Sequence, residues 1–598
     1  MKHILLTVTL GMLLVGCGRG KQVEKPEQAS PATVYVGGRI ITMAGGEAGA
    51  YDPSEKPGYV EAVVVRDGKI AFVGPRDQAT GVAGDGATLV DLAGRTMLPG
   101  FIDAHGHISG VGLQAASANL LPPPDGSGEN IDNLITVTRA WVDQNASFIA
   151  QTKGWIIGFG YDDSQLEKQK HPKRGDLDEV SRDNPVVFIH QSSPMGVVNG
   201  AGLVALEITT CGKVQGGVVE CEDDGLTPNG VLKEAPFFLA LRTIMSGLDQ
   251  DSKDSLILKG MELYASYGYT TAQDGRSSPQ DVSTFIGLAS SNQLIMDIAA
   301  YPDIESHEAA IGAHQDWLGR EYTNRFRIAG AKISLDGSPQ GKTAWLTEPY
   351  EEPPPDQDGD TPYYGFAAYE DDQVVDDFVA LAFQNGWQLL AHCNGDAAAD
   401  QLLRSVEKAS APRSHEDRRT VMIHAQTVRD EQLDEMKALG IIPSFFSMHT
   451  YYWGDWHRTS VLGEDRASHI SPTRWALDRG MIFTEHHDAP VAFPDSLRIL
   501  DATVNRVTRN PRNAPYVLGP DQRVSRYVAM LSITRWAAYQ YFEEAHKGTI
   551  ETGKLADLVI LSGDPFGRDT VDIMGLEILA TIKEGKTIYS KIEPRLGE

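Results

Sequence analysis

Histidine and carboxylate residues stand at the ends of several apolar runs in the sequence. His105 and His107 close one run two residues apart, so on a β-strand their side chains would point the same way. His392 and His424 each end another apolar run, and Asp488 ends a third. Imidazole and carboxylate ligands suit zinc or a similar divalent ion. Either His392 or His424 alone would fit a hydrogen-bonded structural histidine, but together the five residues predict a metal centre.

Lys332 lies in the apolar segment AKISLDG. An ammonium group buried there would be costly, so its pKa should fall and the neutral amine should become available for chemistry. One use of that amine is reaction with carbon dioxide to a carbamate that bridges two metals. The alternative is a salt bridge between Lys332 and Asp336, or between Lys332 and a carboxylate of the long segment at about 111–265.

Asp488 combines two abilities that hydrolysis requires. Its carboxylate can bind a metal, and it can also accept a proton from a water molecule that the metal activates. We therefore expect Asp488 to act as the general base.

An aromatic and histidine-rich segment, SMHTYYWGDWHR, follows the seventh apolar run. His449, Trp453, Trp456 and His457 are the residues that we expect in a substrate pocket, where aromatic faces would contact an apolar part of the substrate. An exposed aromatic loop packed on the long segment at about 111–265 is the alternative.

Eight apolar, β-type runs alternate with helical stretches, which favours an α/β fold with parallel strands. Eight is the strand number of the (β/α)8 TIM barrel, whose active site lies at the carboxyl ends of its strands. The barrel should span residues 99–546, with an insertion subdomain at about 111–265 after barrel strand 1. The runs are LPGFIDAHGH, GYTTAQDG, LIMDIAAYPD, RIAGAKISLDG, WQLLAHCNGD, VMIHAQTV, IIPSFFSMHT and MIFTEHHDAP.

Short β-rich segments with hairpin signals occupy both ends of the chain. Residues 33–98 contain VVVRDGKIAFVG, with an Asp-Gly turn, and residues 547–598 have the same texture. Two such half-modules predict one small, β-sandwich-like composite domain made from both chain ends.

The order His-x-His, Lys, His, His, Asp along these runs resembles the binuclear amidohydrolase superfamily. The segments PGFIDAHGH, KISLDG, HCNGD, IHAQTV, HDAPV and KGTIETGKLADLVIL resemble its family 3 branch, the N-substituted formamide deformylase-like group, from about Thr33 to Ser590. The resemblance implies two divalent ions, most simply Zn²⁺, and a carboxylated Lys332. The ligands that it implies are His105, His107, Lys332, His392, His424 and Asp488.

Two features depart from the family pattern. A small residue commonly precedes the last aspartate, whereas this chain has His486 and His487 there, as an additional ligand or a clash. Pro194 replaces the usual histidine before MGVVN, which weakens any transfer of the family's substrate contacts.

By this resemblance, we expect a metal-dependent hydrolase that cleaves a C–N amide-like bond in an N-acyl, N-formyl or related small molecule. The same centre could instead hydrolyse an ester, a lactone or a phosphotriester, or deaminate a ring, because a fold does not fix its reaction. A non-catalytic binding lipoprotein is a third reading.

The first 17 residues resemble a bacterial lipoprotein signal. An apolar run too short to span a bilayer leads to Leu14-Val15-Gly16-Cys17, in which Cys17 would be lipidated. Residues 18–32 then form a flexible tether. We expect an exported protein, anchored to the cell envelope through this lipid alone. An ordinary cleaved signal with an incidental cysteine is the alternative.

Composition restricts the partners. The 598 residues include 81 acidic and 53 basic side chains, and such a surface repels nucleic acid. Cys211 and Cys221 could form a disulfide in an oxidising compartment or remain two free thiols, and Cys393 is expected to be unpaired. The sheet-rich terminal unit could mediate a homo-oligomer.

Overall fold

The computed structural model describes residues 30–47, 56–191, 195–215, 217–354, 357, 361–410, 416–509, 514–567 and 572–592. Cys17, with its signal and most of the tether, lies outside these residues, as does Pro194. Within them, no helix combines the length and the apolar character that crossing a bilayer requires.

The elements are numbered along the chain. The strands are β1 (Thr33–Ile41), β2 (Tyr59–Arg66), β3 (Lys69–Gly74), β4 (Thr88–Asp91), β5 (Thr96–Pro99), β6 (Phe101–Ile102), β7 (Ala118–Asn119), β8 (Ile156–Tyr161), β9 (Val186–His190), β10 (Met195–Val198), β11 (Gly212–Val214), β12 (Gly217–Cys221), β13 (Pro228–Glu234), β14 (Tyr269–Ser277), β15 (Asp297–Pro302), β16 (Phe326–Ile328), β17 (Gly330–Ser334), β18 (Gln388–Cys393), β19 (Val421–His424), β20 (Ile442–Phe445), β21 (Thr484–Glu485), β22 (Leu558–Leu561), β23 (Ile578–Lys583) and β24 (Lys586–Ser590).

The α-helices are α1 (Arg76–Ala83), α2 (Ile108–Ala116), α3 (Ile131–Gln144), α4 (Ala146–Gln151), α5 (Arg174–Leu177), α6 (Gly200–Ala205), α7 (Ala235–Gly247), α8 (Gln250–Ser266), α9 (Pro279–Ser290), α10 (His307–Ala310), α11 (Asp372–Gln384), α12 (Asp396–Ser410), α13 (Asp430–Leu439), α14 (Met448–Trp456), α15 (Gly463–Ser468), α16 (Thr473–Asp478), α17 (Ser496–Asn505), α18 (Arg526–Ser532) and α19 (Arg535–Gln540).

Strands from both ends of the chain share one eight-stranded sheet, in the order β24-β23-β22-β5-β1-β2-β3, with β4 paired to β1. The pairing of β5 with β22 joins the two chain ends. The β2–β3 hairpin turns at Asp67 and Gly68, both with positive φ, as the sequence pattern indicates. Strands from the two chain ends therefore lie in one sheet, while the composite domain that the sequence predicts stays a prediction.

Two parallel sheets provide the strands that the eight apolar runs predict. One has the order β16-β15-β14-β6 and the other β17-β18-β19-β20-β21. The fourth run is divided at Ala329 into β16 and β17, and a parallel bridge between Asp303 and Lys332 joins the two sheets there. At the other edges, the Asp488 amide donates to the His105 carbonyl and the His107 amide donates to the Ala489 carbonyl.

Alternate residues of these parallel strands form one buried apolar cluster, which includes Ile102, Ala299, Leu390 and Ile423. Because successive side chains of a strand point to opposite faces, the residues between these apolar ones face the other way. Polar residues at the carboxyl ends of the strands can therefore lie together at one edge of the sheets.

The long segment between β6 and β14 folds around its own sheet, in the order β11-β12-β13-β10-β9-β8-β7. Its apolar residues form a separate cluster that contains Ile157, Val187, Leu232 and Phe237. A disulfide joins Cys211 to Cys221, with Cα atoms 5.4 Å apart. Cys393 is a free, buried thiol.

Candidate metal centre

His105 and His107 lie in the short segment between β6 and α2. A Cβ atom on the intervening Gly106 would lie 2.4 Å from the Tyr264 hydroxyl, so only glycine fits between the two histidines. His105 is 1% exposed. The His107 side chain is 31% exposed, which leaves it at the open side of the centre.

A hydrogen bond fixes the orientation of the His105 ring. Nδ1 of His105 lies 2.6 Å from Oε1 of Gln273, whose amide nitrogen donates to the Ala104 carbonyl at 2.9 Å. Because Oε1 can only accept, the His105 proton is on Nδ1 and the lone pair of Nε2 faces the centre. This is how a second residue prepares a histidine to bind a metal.

Lys332 and Asp488 both approach the Nε2 edge of His105. The Lys332 Nζ atom lies 3.2 Å from Nε2 of His105, and Oδ1 of Asp488 lies 3.3 Å from it. The same Asp488 oxygen is 3.2 Å from Nε2 of His107. Residues from the segment after β6, from β17 and from the segment after β21 therefore converge on one small volume.

Asp336 lies beside His392 rather than pairing with Lys332. Its Oδ1 atom lies 3.3 Å from Nδ1 of His392, and its two carboxylate oxygens accept the backbone amides of Trp345, Asn394 and Gly395. The salt bridge between Lys332 and Asp336, the alternative that the sequence left open, is therefore not formed.

His424 is 2% exposed, and neither of its ring nitrogens has a hydrogen-bond partner among the described residues. A buried polar group without a partner is costly, and a bound cation would satisfy it. His105, His424 and Asp488 each offer a ligand atom, and these atoms lie within 4.8 Å of one another. The His392 ring lies 4.5 Å from that of His424, so His392 is adjacent to this group. The donor set therefore fits a metal.

The backbone is strained at two of these positions. His424 has φ +72° and Asp488 has φ +54°, in the left-handed region that side chains other than glycine rarely adopt. Such strain persists where the surrounding structure fixes a functional side chain.

The two histidines before Asp488 face different surroundings. The His486 ring lies 5.2 Å from that of His105 and 5.1 Å from that of His424, and neither of its nitrogens has a hydrogen-bond partner within the described ranges. His487 instead packs on Tyr264 and Tyr269, and its Nδ1 atom accepts from the Ala489 amide at 2.8 Å. His486 thus adds an imidazole to the edge of the centre without a clash.

Burial dominates the electrostatics of the centre. Burial lowers the pKa of Lys332 to about 7, so at neutral pH a large fraction of the molecules carries Lys332 as a free amine. Burial also lowers the pKa of His105 and of His424 well below the ordinary value, which keeps both imidazoles neutral and able to bind a cation. Burial alone would raise the pKa of Asp488, but the neighbouring imidazoles of His105, His107 and His424 hold it well below its ordinary value.

The predicted pocket residues lie on α14 and the turn that follows it. His449, Trp453 and His457 are buried, and the His449 ring lies 4.6 Å from Phe446, which contacts His486 at 5.0 Å. Trp456 is half-buried and donates its Nε1–H to the Gln340 carbonyl at 3.0 Å. The segment is therefore a helical wall beside the centre, not an exposed loop.

Sequence reasoning did not identify three residues that support this arrangement, namely Gln273, Asp162 and His190. Trp453 donates its Nε1–H to Oδ2 of Asp162, in the insertion, at 2.8 Å. Nε2 of His190 lies 3.0 Å from Oδ1 of Asp163, beside Asp162. The polar ends of GWIIGFGYDD and NPVVFIH, which follow apolar strands, were the available signal.

Known proteins resemble this chain over nearly its whole length. N-substituted formamide deformylase from Arthrobacter pascens is 27% identical over 544 residues, which cover 89% of this chain and 95% of that protein. Protein LONG AFTER FAR-RED 3 of Arabidopsis thaliana is 27% identical over 545 residues, 89% of this chain and 88% of that protein.

The crystal structure of an uncharacterized metal-dependent hydrolase from Pyrococcus horikoshii OT3 matches with a TM-score of 0.69 at 23% identity, covering 93% of this chain and 100% of that one. At this identity the likeness shows the fold alone, which is of the TIM-barrel type that the sequence predicts.

A family model described as the amidohydrolase family matches residues 88–589. Together with the cluster of His105, His424 and Asp488, this match supports a metal-dependent hydrolase. The chain belongs to the amidohydrolase family.

Proposed function

We propose that the protein hydrolyses a C–N amide-like bond in an N-acyl, N-formyl or related small molecule. The observation that carries the proposal is the approach of Lys332 Nζ and Asp488 Oδ1 to the same edge of His105, at 3.2 and 3.3 Å. A base, a free amine and neutral imidazoles in one buried volume are the groups that a metal-assisted hydrolysis requires. The deformylase relative supports the choice of an amide.

The residues that would hold two divalent ions, most simply Zn²⁺, are His105, His107, Lys332, His392, His424 and Asp488. We propose that they lie at the carboxyl ends of a closed (β/α)8 barrel. The Lys332 amine would react with carbon dioxide, forming a carbamate N–C bond and releasing one proton. The carbamate would supply two oxygens where the amine supplies one nitrogen, which suits a bridge between two cations.

When bound, the two cations would lower the pKa of a water molecule and polarise the carbonyl group of the substrate. Asp488 would accept the proton of the attacking water and return it to the leaving nitrogen. Its Oδ1 atom lies 3.2 Å from Nε2 of His107, which can donate to it, and 3.3 Å from Nε2 of His105, so the carboxylate is positioned in the centre for this transfer. The wall formed by His449, Trp453 and His457 would limit the access of bulk water.

The test compares Asp488→Asn with wild type in metal content and in turnover of N-acyl and N-formyl amines. We expect a loss of at least about a hundredfold in kcat, since general-base catalysis contributes about that much or more. Asp434→Asn is the matched control, because Asp434 is a surface carboxylate paired with Arg479. Full activity of Asp488→Asn would refute the base. If zinc-loaded wild type hydrolysed esters or lactones but none of the N-acyl and N-formyl amines, the proposal of an amide substrate would be refuted.

A further inference from the structure

Two buried histidines form a pair in the wall beside the centre. His449 lies on α14, and His457 begins the single turn of π-helix that follows it. Nδ1 of His449 lies 2.9 Å from Nε2 of His457, and the rings stack at 20°. Neither ring has a carboxylate within ion-pair distance among the described residues, and burial of both favours neutral imidazole. One neutral ring must therefore donate to the other.

The direction of that hydrogen bond follows from the rest of His457. Its Nδ1 atom is buried and has no hydrogen-bond partner in the described part of the chain. Buried N–H groups without an acceptor are rarer than buried acceptors with an unused lone pair. The proton of His457 is therefore on Nε2, from which it donates to Nδ1 of His449.

This direction fixes the state of His449. Because its Nδ1 atom accepts, its own proton must lie on Nε2, at the edge of the ring farther from His457. Among the described residues, the hydrogen bond of the His449 ring is the one to His457, and His449 is 2% exposed whereas His457 is fully buried. The Nε2–H of His449 is therefore available to donate to an acceptor from outside the protein.

The position of His449 identifies where that acceptor would be. One face of its ring lies 4.6 Å from Phe446, whose ring is 6.1 Å from His424. The Trp453 ring, 4.8 Å from His449, is held by Asp162 of the insertion. His449 is therefore one aromatic ring away from the metal centre and is fixed in place by its neighbours.

We propose that His449 binds an oxygen atom of the substrate through its Nε2–H, and that His457 is the positioning residue that holds His449 in this tautomer. The inference rests on the proposed hydrolysis for its substrate. It implies that the substrate presents a hydrogen-bond acceptor to the wall formed by α14. A wholly apolar group at this position would leave the donor unpaired and would bind more weakly.

The tautomer can be measured without any substrate. The full-length, zinc-loaded protein would be labelled with ¹⁵N-histidine, and the signals of His449 and His457 would be assigned among the 16 histidines from His449→Gln and His457→Gln variants. We expect both residues to carry the proton on Nε2. A proton on Nδ1 of His449 overturns the proposal, whether or not the protein hydrolyses amides.

Kinetics then test the role of the pair. A glutamine at 457 can still donate to Nδ1 of His449, whereas a leucine cannot, so we expect His457→Leu to lower kcat/KM at least tenfold and His457→Gln to retain most of it. Metal content should not change in either variant. His469→Leu, in which the lost ring stacks on Trp475 instead, is the control. Equal kcat/KM for the glutamine and leucine variants would overturn the positioning role, and the NMR measurement decides the tautomer if the leucine variant does not fold.

Discussion

The side chain of Gln273 accepts a hydrogen bond from Nδ1 of His105 at 2.6 Å and thereby turns the other nitrogen of His105 toward Lys332 and Asp488. Gln273→Leu removes this acceptor and frees the ring to rotate. We expect the affinity for zinc to fall by about 10- to 100-fold, the usual effect of losing such a partner. Competition with a chelator measures it.

Gln540→Leu is the matched control for that experiment. Gln540 donates to the same Ala104 carbonyl as Gln273, at 2.8 Å, and its hydrogen bonds in the described part of the chain do not include one to His105. Equal losses of zinc affinity in both variants would show that the effect comes from packing around Ala104 rather than from the histidine.

The carbamate on Lys332 predicts that zinc binding depends on carbon dioxide. Metal-free protein prepared without bicarbonate should regain zinc slowly or incompletely, and added bicarbonate should restore the full metal content. Lys332→Met should bind less zinc at any bicarbonate concentration. Lys342→Met, which removes another buried lysine that donates to the Glu352 carbonyl, should keep the bicarbonate dependence of wild type. Full zinc uptake by wild type without bicarbonate would contradict the carbamate.

His486 and His487 offer a comparison between adjacent residues. We expect His486→Gln to lower the zinc affinity, because its unpartnered ring lies 5.2 Å from that of His105 and 5.1 Å from that of His424. His487→Gln should affect thermal stability more than zinc affinity, since His487 contacts Tyr264 and Tyr269. The opposite pattern in chelator titrations would exclude His486 from the centre.

Because the pKa of His190 is raised in the folded protein, we expect the protein to lose stability at alkaline pH. Burial alone would lower its pKa, but hydrogen bonds to Asp162 and Asp163 raise it to about 9. The pKa of His190 in the unfolded chain is about 6.5, which is lower than in the folded protein. The protonated His190 therefore stabilises the folded state fully below about pH 6.5, and this stabilisation is lost as pH rises through about 9. The contribution is about 3 kcal/mol.

Thermal unfolding from pH 6 to pH 10 tests this effect. The melting temperature of wild type should fall over the alkaline half of the range, and the fall should be smaller in His190→Gln. Parallel curves for wild type and variant would contradict the ion pair.

The disulfide between Cys211 and Cys221 closes a loop of 10 residues. We expect its removal, by reduction or by the double change to serine, to lower the free energy of unfolding by about 2 to 3 kcal/mol. Denaturant unfolding with and without reductant measures this, and a reductant effect that persists in the serine variant would show that the bond is not its source.

The strands and the polar residues at their ends could be predicted from the sequence. Apolar runs that finish in His105, His392, His424 and Asp488 indicate the elements, and parallel strands bring their carboxyl ends to one edge. The predicted ligand candidates do lie together. Their roles as ligands stay a proposal.

The supporting contacts could not be predicted, because they join residues far apart through particular rotamers. Gln273 and His105 are 168 positions apart, and Trp453 and Asp162 are 291 apart. Nothing in the local pattern around Gln273 distinguishes its amide from any other polar group on a strand. Asp336 is close to Lys332 in sequence, which left a salt bridge between them open as an alternative, whereas its carboxylate accepts backbone amides and lies 3.3 Å from Nδ1 of His392.

The hydrogen bond from Trp453 to Asp162 makes the insertion structurally inseparable from the wall that borders the centre. In a chimera, the insertion of a relative could replace this segment and keep the wall intact only if it placed a hydrogen-bond acceptor where Asp162 accepts from the Trp453 indole. This contact therefore limits which insertion sequences are compatible with the wall of the centre.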